Sequence, residues 1–447
     1  MLNFASKIFK CSNVMEDIRI HIHDFGPLYE VEFQLAPMMI FTGMSSLGKS
    51  YANYLAYYTI SSISDGLLER IVLPKINSDA KEQSIDITTE EISSMLHDEV
   101  ETYMQSFLGD DNIKCNVDFY FGGEGLHSFK IKVDERVKKT EINKNSLSSF
   151  NVRRVDYIYN GKSEFFFTQN ADIRSIIIFI VGTSICVQLF DSLLNYTPIL
   201  PPARGAFVGE NYSMKSKVSS SLGMYRQFLN DYDIGVQPSD KNSITREDFF
   251  KKALEKLLDG QLVNEKDKQF LRLSNGKQIA LTAAASSIKE LSPFLFYLKN
   301  HIGNYMSFCF EEPEAHLHPK MQVALADLVA ASLHQNIFFQ ITTHSDYFLQ
   351  RLNQLIKLGI IQKKDENKFK KICKEWNLDE LCYIDEKDVK AYYFHRDDKG
   401  LVVIDPMPIN EEGIPFCTFF EIASKLQQRE DELNDVLFEL SKKEGEE

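Results

Sequence analysis

The chain has 447 residues, 44% of them hydrophobic and 26% charged, proportions of a globular protein with length for two or three structural units. Its 64 acidic residues outnumber 50 basic ones, for a net charge of −14, which excludes a surface basic all over of the kind that grips nucleic acid through its phosphates. The 7 cysteines are scattered, odd in number and without a CxxC pair, which excludes a disulfide framework and a cysteine zinc site and fits buried thiols in a reducing cytoplasm.

The opening stretch, MLNFASKIFKCSNVMED, holds no long apolar run and no evident cleavage site, so no secretion signal is expected and the location expected is cytoplasmic. Ile18, Ile20 and Ile22 in IRIHI alternate as a half-buried strand does, DFGP turns the chain, and Val31, Phe33 and Leu35 share one face of a returning strand. MMIF, residues 38–41, reads as a buried strand running into the loop GMSSLGKS at 43–50. After Ser50, YANYLAYYTISSISDGLLERI lacks proline and reads as one helix.

From about 60 to 280 the pattern is mixed. CNVDFYFGG and HSFKIKVDERV predict one hairpin, and RRVDYIYNGKSEFFF another. The most membrane-like run, IIIFIVGTSICVQLF at 176–190, is too short to span a bilayer and carries Thr183, Ser184 and Gln188, so a buried core helix and no membrane contact are expected. A strand follows into TPILPPARGAF. Residues 208–245, rich in Ser, Asn and Asp, are expected to hold loops, and REDFFKKALEKLLDG is an amphipathic helix stopped by Gly260. Sustained heptads are missing, which excludes long coiled-coil arms here.

Beyond 281 the signals sharpen. A helix over ASSIKELSPFLFYLKN leads to the strand YMSFCF, then EEPEAHLHP, a helix at KMQVALADLVAASLHQ, and a second buried strand, NIFFQITT, that ends at His344. VKAYYFHRDDKGLVVID predicts a hairpin turning at Asp398-Lys399-Gly400, and a charged helix closes the chain. Lysines cluster from Lys357 to Lys374; they read as a solvated helix and loop or as a local patch for DNA.

GMSSLGKS satisfies the phosphate-loop spacing G-x-x-x-x-G-K-[ST], and the strand before it and helix after it are the context that the motif needs. Backbone N–H groups of Gly43, Met44, Ser45, Ser46, Leu47 and Gly48 would curl around phosphate oxygens, Lys49 would reach the terminal phosphates of ATP, and the Ser50 hydroxyl would ligate Mg²⁺. SFCFEEPEAHLHP supplies acids at the end of an apolar strand, where Glu311 would hold the metal and Glu312 would polarise the attacking water. His344, after another buried strand, could contact the γ-phosphate and that water. His316 and His318 stand at i, i+2 but no third ligand presents itself, and His21 and His23, on a strand, suggest a metal even less.

Together GMSSLGKS, FEEPEAHLHP and ITTHSDYFL, with DFGPLYEVEFQL as an opening hairpin, resemble the ABC-type ATPases of the OLD, RecF and SMC lineage, at the level of compact OLD-like proteins. The resemblance covers about 15–60 and 280–350, and Glu at 311, where most relatives have Asp, is distinctive of this branch. It implies an α/β fold: an ABC-type P-loop ATPase head of mixed β-sheet with flanking helices, an inserted α+β and helical region, and a C-terminal β-hairpin plus helix. The corresponding division is 1–60 with the phosphate loop, 61–280 as the insertion, 281–350 as the rest of the head, and 351–447 as an α+β extension. The family also implies a nucleotide sandwiched between two copies. The signature segment would be AAASSIKELSP, so Ser286, Ser287 and Lys289 would face the partner's γ-phosphate, although the glycine usual after the serines does not occur. LPPARG resembles a recurrent Pro–Arg segment of OLD-like ATPases, so Arg204 either approaches the nucleotide or braces the fold.

OLD proteins proper carry a nuclease domain of the TOPRIM type, and the hundred or so residues after His344 show no acidic metal cluster. The resemblance therefore implies a Mg²⁺-dependent ATPase, working as a homodimer or larger homo-oligomer, that acts on a separate effector. Stand-alone ATPases of this kind pair with a nuclease in bacterial antiphage systems such as PARIS and Septu. Two other readings remain open: a RecF-like DNA-repair ATPase that binds duplex DNA, and a nucleotide-gated scaffold that hydrolyses little.

Overall fold

The computed structural model describes residues 17–444 except 65–67, 78, 124, 144–145, 160, 170–171, 209–222, 238–246, 266–267, 302–304, 412 and 416. The expected opening hairpin forms from β1 (Ile18–Phe25) and β2 (Leu28–Gln34), with Ile18, Ile20, Ile22, Val31 and Phe33 buried on one face and Arg19, His21, His23, Glu30 and Glu32 on the other. β3 (Met38–Gly43) is buried at every position and feeds the 43–50 loop, from which α1 (Lys49–Ser64) departs. α1 is buried nearly all round, as suits a helix packed against both β1 and the central strands rather than lying on a surface. The single helix expected after Ser50 is two, α1 and the short α2 (Leu68–Val72).

β4 (Glu82–Thr88), α3 (Thr89–Leu108), β5 (Cys115–Phe121), β6 (Leu126–Asn143), β7 (Ser146–Tyr159) and β8 (Lys162–Gln169) follow. The expected hairpin of CNVDFYFGG with HSFKIKVDERV does not form. β5 instead joins β1 in a sheet of order β2-β1-β5, while β6 pairs with β4 and β7 in a second antiparallel sheet, β4-β6-β7-β8. Side-chain matching explains the parting. Val117 and Phe119 extend the apolar face of Ile22 and Ile20, opposite which they pair, whereas Phe129 and Ile131 pair with Tyr159 and Tyr157. The β7–β8 hairpin is the one expected.

α4 (Ile173–Phe190) starts three residues before the predicted run, capped by Asp172, which accepts from the N–H groups of Arg174 and Ser175. It is long and apolar enough to cross a membrane, but 56% of it is buried inside the protein, with Ile176, Ile177, Ile180 and Ile185 in the core. β9 (Ile199–Leu200) follows. Of residues 208–245, expected to hold loops, 209–222 and 238–245 lie outside the described residues, and the described part is mostly α5 (Gly223–Val236), whose Phe228 and Tyr232 are fully buried. α6 (Glu247–Leu258) ends before Gly260: Asp259 takes the left-handed turn (φ 49°), and Gly260 opens β10 (Gly260–Glu265), where a Cβ would stand 2.5 Å from the Arg272 carbonyl oxygen. β11 (Lys268–Leu273) and β12 (Gln278–Ala280) complete that small sheet.

α7 (Ser286–His301), β13 (Met306–Glu311), α8 (Pro319–Leu333), β14 (Ile337–Thr342), α9 (Asp346–Lys364), α10 (Glu366–Trp376), β15 (Val389–Arg396), β16 (Val402–Met407) and α11 (Cys417–Glu444) finish the chain. The central sheet runs β16-β15-β3-β14-β13-β9, parallel throughout except for β16. β13 and β14, like β3, are buried at every position, as parallel strands covered on both faces must be. The predicted C-terminal hairpin is built into this sheet, β15 running beside β3 from Val389 opposite Met38 to Phe394 opposite Gly43. The architecture is the α/β class expected: a mixed sheet with flanking helices, an inserted α+β and helical region, and a C-terminal hairpin plus helix.

Five of the seven lysines in the cluster on α9 and α10 are paired at home. Lys363 meets Asp385 and Glu386, Lys364 meets Glu411, and Lys368, Lys370 and Lys371 meet Asp365, Glu366 and Glu375. That is a solvated, charge-balanced face. Cys115, Cys186, Cys309, Cys373 and Cys382 are free thiols and buried.

Candidate nucleotide site

The phosphate loop joins the end of β3 to the start of α1. Gly43 stands at φ 124°, and a Cβ there would come within 2.2 Å of the Phe394 carbonyl oxygen, so the close approach of β15 demands glycine. Gly48, at φ 89°, lies against Leu28 and Pro27 of the opening hairpin, which ties that hairpin to the loop. Lys49 is 5% exposed, and its Nζ donates to the carbonyls of Gly43 (3.2 Å) and Met44 (2.6 Å). Burial pulls its ammonium down to about 8, against the opposing pull of Glu311 and Glu312. A lysine in that state gains from an anion that replaces two carbonyls.

β13 runs beside β14 and ends beneath the loop. Glu311 is 2% exposed there and accepts from Ser50 Oγ (2.5 Å), Asn53 Nδ2 (2.6 Å) and Thr342 Oγ1 (3.0 Å). Even with three donors, burial pushes its carboxyl above the usual range. Glu312 is the reverse: exposed, at φ 42°, with its N–H donating to the Thr342 carbonyl (3.1 Å). A left-handed non-glycine residue at a strand end is strained backbone. Here that turn coincides with the Glu312 side chain leaving the sheet and lining a cavity.

The cavity, of about 510 Å³, is lined by Pro27, Ser45, Ser46, Gly48, Lys49, Ser50, Tyr51, Glu312, Thr342 and His344. Of the residues picked from the sequence, Ser45, Ser46, Gly48, Lys49, Ser50, Glu312 and His344 meet around it. Glu311 lies directly below Ser50, and Gly43, Met44 and Leu47 shape the loop without lining the space. His344 is held toward its neutral form by burial and by Lys49, with Glu312 opposing.

Three placements differ in kind. Arg204 does not line the cavity. It is fully buried, and its guanidinium donates to the backbone carbonyls of Glu290 (2.8 Å), Pro201 (3.1 Å) and Glu311 (2.8 Å) while lying 4.8 Å from the Phe310 ring centre. Of the two roles left open for it, this is the brace: it fixes the strand end that carries both acids. Ser286, Ser287 and Lys289 occupy the first turn of α7, exposed or half-exposed and away from this cavity. Glu314 was given no role from the sequence. Its Oε1 accepts from Thr343 Oγ1 and from the His344 N–H, both at 2.8 Å, so it positions the loop bearing His344. The signal lay in EEPEAHLHP, two residues beyond Glu312, but nothing local says which acid turns back on the sheet.

Mg²⁺ fits the donor set: a hydroxyl and a dehydrated carboxylate 2.5 Å apart are hard oxygen ligands, and a cation would relieve the cost that burial imposes on Glu311. Ser50 would hold the ion, with Glu311 behind it.

Residues 188–349 match the family model of the AAA ATPase domain. That stretch contains Arg204, Ser286, Ser287, Lys289, the acids and His344, while the phosphate loop lies outside it. Among solved structures the chain is similar to an Smc head bound to the C-terminal winged-helix domain of ScpA, at 12% identity and TM-score 0.37 over 89% of this chain and 98% of that one. An Smc head from Pyrococcus furiosus bound to the C-terminal domain of ScpA gives 12%, 0.35, 93% and 99%, and an SMC head from Thermotoga maritima 11%, 0.31, 88% and 100%. No curated protein matches the chain. The match covers the acids and His344, and the phosphate loop stands across the cavity from them, so the two features that bear on nucleotide binding come from separate stretches of the chain.

Proposed function

We propose that the chain is a Mg²⁺-dependent ATPase of the ABC type, converting ATP and water to ADP and phosphate between two copies of itself, and that it controls a separate effector, a nuclease, in bacterial antiphage defence. The observation that carries the hydrolytic part is the split between Glu311 and Glu312. One is sealed under Ser50, where a metal-bound hydroxyl would sit; the other is turned into the cavity opposite Lys49 and His344. A bound Mg²⁺ would neutralise charge on the phosphates. The chain's own residues then hold the rest: Lys49 and the loop N–H groups bind phosphate, Glu312 orients water and accepts its proton, and His344, kept neutral, can hydrogen-bond the same water. Ser286, Ser287 and Lys289 face outward at a helix start, where a second copy's terminal phosphate could reach them. The effector and the defence role rest on the resemblance of the motifs alone; a cytoplasmic location rests on the scattered cysteines and the opening stretch of the sequence.

A second reading, the nucleotide-gated scaffold, is favoured by the same segment, because no glycine follows its serines to let a partner's phosphate approach closely. Light scattering with and without ATP–Mg²⁺, run beside phosphate release for wild type, Lys49→Ala and Glu312→Gln, separates the two. The ATPase reading expects nucleotide-dependent assembly, turnover that Glu312→Gln abolishes, and a closed assembly trapped by that variant. Assembly indifferent to nucleotide, with negligible turnover in every form, leaves the scaffold.

A further inference from the structure

The outward face of the β2-β1-β5 sheet carries a group of side chains that the nucleotide chemistry does not use. His21 and His23 sit two apart on β1, so both leave the same face of the strand. The ladder pairs Ile22 with Val31 and Asp24 with Tyr29, which puts Glu30 across from His23. Glu30 stands at φ 48°, an uncommon conformation for a residue with a Cβ, and its carboxylate bridges the two rings: Oε2 lies 3.1 Å from His21 Nε2 and Oε1 lies 3.2 Å from His23 Nδ1. One ligand atom from each residue lies within 4.8 Å of the others, the only such group found among the described residues.

We infer that His21, His23 and Glu30 form a binding site for a divalent transition-metal ion of the Zn²⁺ kind, clamping the opening hairpin. Four features support it. Donor atoms on a tetrahedral zinc with bonds of about 2.0–2.1 Å stand roughly 3.3 Å apart, close to the two separations observed. Two imidazoles and a carboxylate suit Zn²⁺ and disfavour Mg²⁺, which takes oxygen ligands, so the site is chemically distinct from the one at Ser50. With Nδ1 of His23 on the metal, its Nε2 is free to donate to Asp118 Oδ2, 3.0 Å away on β5, the carboxylate–histidine–metal relay that orients ligating imidazoles. The site is also reachable, since the His21, His23 and Glu30 side chains are 27%, 33% and 49% exposed. The clamp has a place to act. Pro27, in the turn of the same hairpin, lines the nucleotide cavity, and Gly48 packs on Pro27 and Leu28, so the ion would stiffen the strand pair that borders the phosphate loop.

The test uses the full chain, stripped with chelator and free of nucleotide, titrated with Zn²⁺ by calorimetry and with Co²⁺ by visible absorption. The expected result is one ion per chain with the spectrum of a four- or five-coordinate nitrogen–oxygen site. In His21→Ala/His23→Ala the dissociation constant should rise at least 100-fold, and in Asp118→Asn by about 10- to 100-fold at unchanged stoichiometry. Unaltered far-UV circular dichroism shows that the variants fold, as exposed positions allow. Binding by the double variant equal to wild type, a thiolate-to-cobalt charge-transfer band, or no uptake by wild type would each overturn the assignment.

Discussion

The strand ends beneath the phosphate loop and the outward face of β2-β1-β5 hold the same kinds of group under opposite conditions. Below the loop, Glu311 is nearly sealed from water and Glu314 is half-buried, and burial pushes both carboxyls above the usual range despite hydrogen bonds. On the outward face, Glu30 and Asp118 remain wet, and their bonds to histidines hold both below it. A carboxylate dehydrated without a full counter-charge is costly, and that cost is what a bound cation would relieve. The wet carboxylates already have their partners and store no such drive. Dehydrated charge marks the nucleotide site; the outward cluster is marked by geometry alone.

The largest expected effect breaks the comparison if it fails. Glu312→Gln keeps shape and removes the proton acceptor, so phosphate release should fall by about 10²- to 10⁴-fold. Glu30→Gln, on the other face, should leave release under saturating ATP–Mg²⁺ within about twofold, since the residue does not line the cavity. Similar losses in both, followed by a coupled phosphate assay, would mean that the two faces act as one site.

Next comes the brace. Arg204 is fully buried, with Glu290 Oε2 at 3.7 Å, and burial lowers its guanidinium to about 10. Arg204→Ala leaves the carbonyls of Pro201, Glu290 and Glu311 without their donor and the buried Glu290 carboxylate without its counter-ion, a loss of about 3–5 kcal/mol by urea denaturation. Arg204→Lys should recover little, because one ammonium cannot span the carbonyls of Pro201, Glu290 and Glu311 at once.

How much of this was legible follows from where the information sits along the chain. The phosphate loop, the acids after YMSFCF and the histidine after NIFFQITT are each contiguous, and a buried strand before each one predicts where its side chains emerge. The three strands involved, β3, β13 and β14, were therefore readable together with the site they carry. What was not readable depends on pairing across distance. β5 leaves β6 for β1 because Val117 and Phe119 match Ile22 and Ile20, a choice invisible in either segment alone. Arg204 could be flagged but not assigned, since the carbonyls of Glu290, Glu311 and Glu312 that it meets lie 86 to 108 residues away. His21 and His23 looked like an unremarkable strand because their third partner, Glu30, comes from the next strand through a backbone conformation that composition does not predict.

A smaller effect sharpens the buried side. Glu311 has a folded pKa raised above its ordinary value of 4.5, so the folded state binds the proton more tightly than the unfolded one. The cost of the ionised form is absent below the unfolded value and fully present once pH passes the folded one. Glu311→Gln should thus raise the melting temperature of the nucleotide-free protein at pH 7.5, with the gain disappearing near pH 4, while abolishing turnover. The amide can be accommodated, because Asn53 Oδ1 has no partner and can accept from it once that side chain turns over. Thermal melts at the two pH values decide it; destabilisation at pH 7.5 would mean that the three donors outweigh burial.

The smallest effect is the wet counterpart. At the rim of the central sheet, His395 Nε2 donates to Asp405 Oδ2 across 2.7 Å, with the side chains 31% and 58% exposed, and that bond raises the imidazole above its ordinary 6.5. The sign is opposite to that of Glu311. A raised histidine contributes stability that is complete below the unfolded value and lost as pH climbs through the folded one. Water and salt screen a pair this exposed, so His395→Gln should cost no more than about 0.5 kcal/mol at pH 5.5 and nothing measurable at pH 9, and 1 M salt should shrink even the first figure. The Arg396 backbone carbonyl, 3.2 Å from Nδ1, and the charge of Asp397 add to the effect of Asp405, so the pH profile is best read in an Asp397→Asn background. A loss at pH 5.5 that rivals the Glu311→Gln gain would show that exposure does not divide the strong electrostatic sites of this fold from the weak ones, and the contrast between its two faces would fall with it.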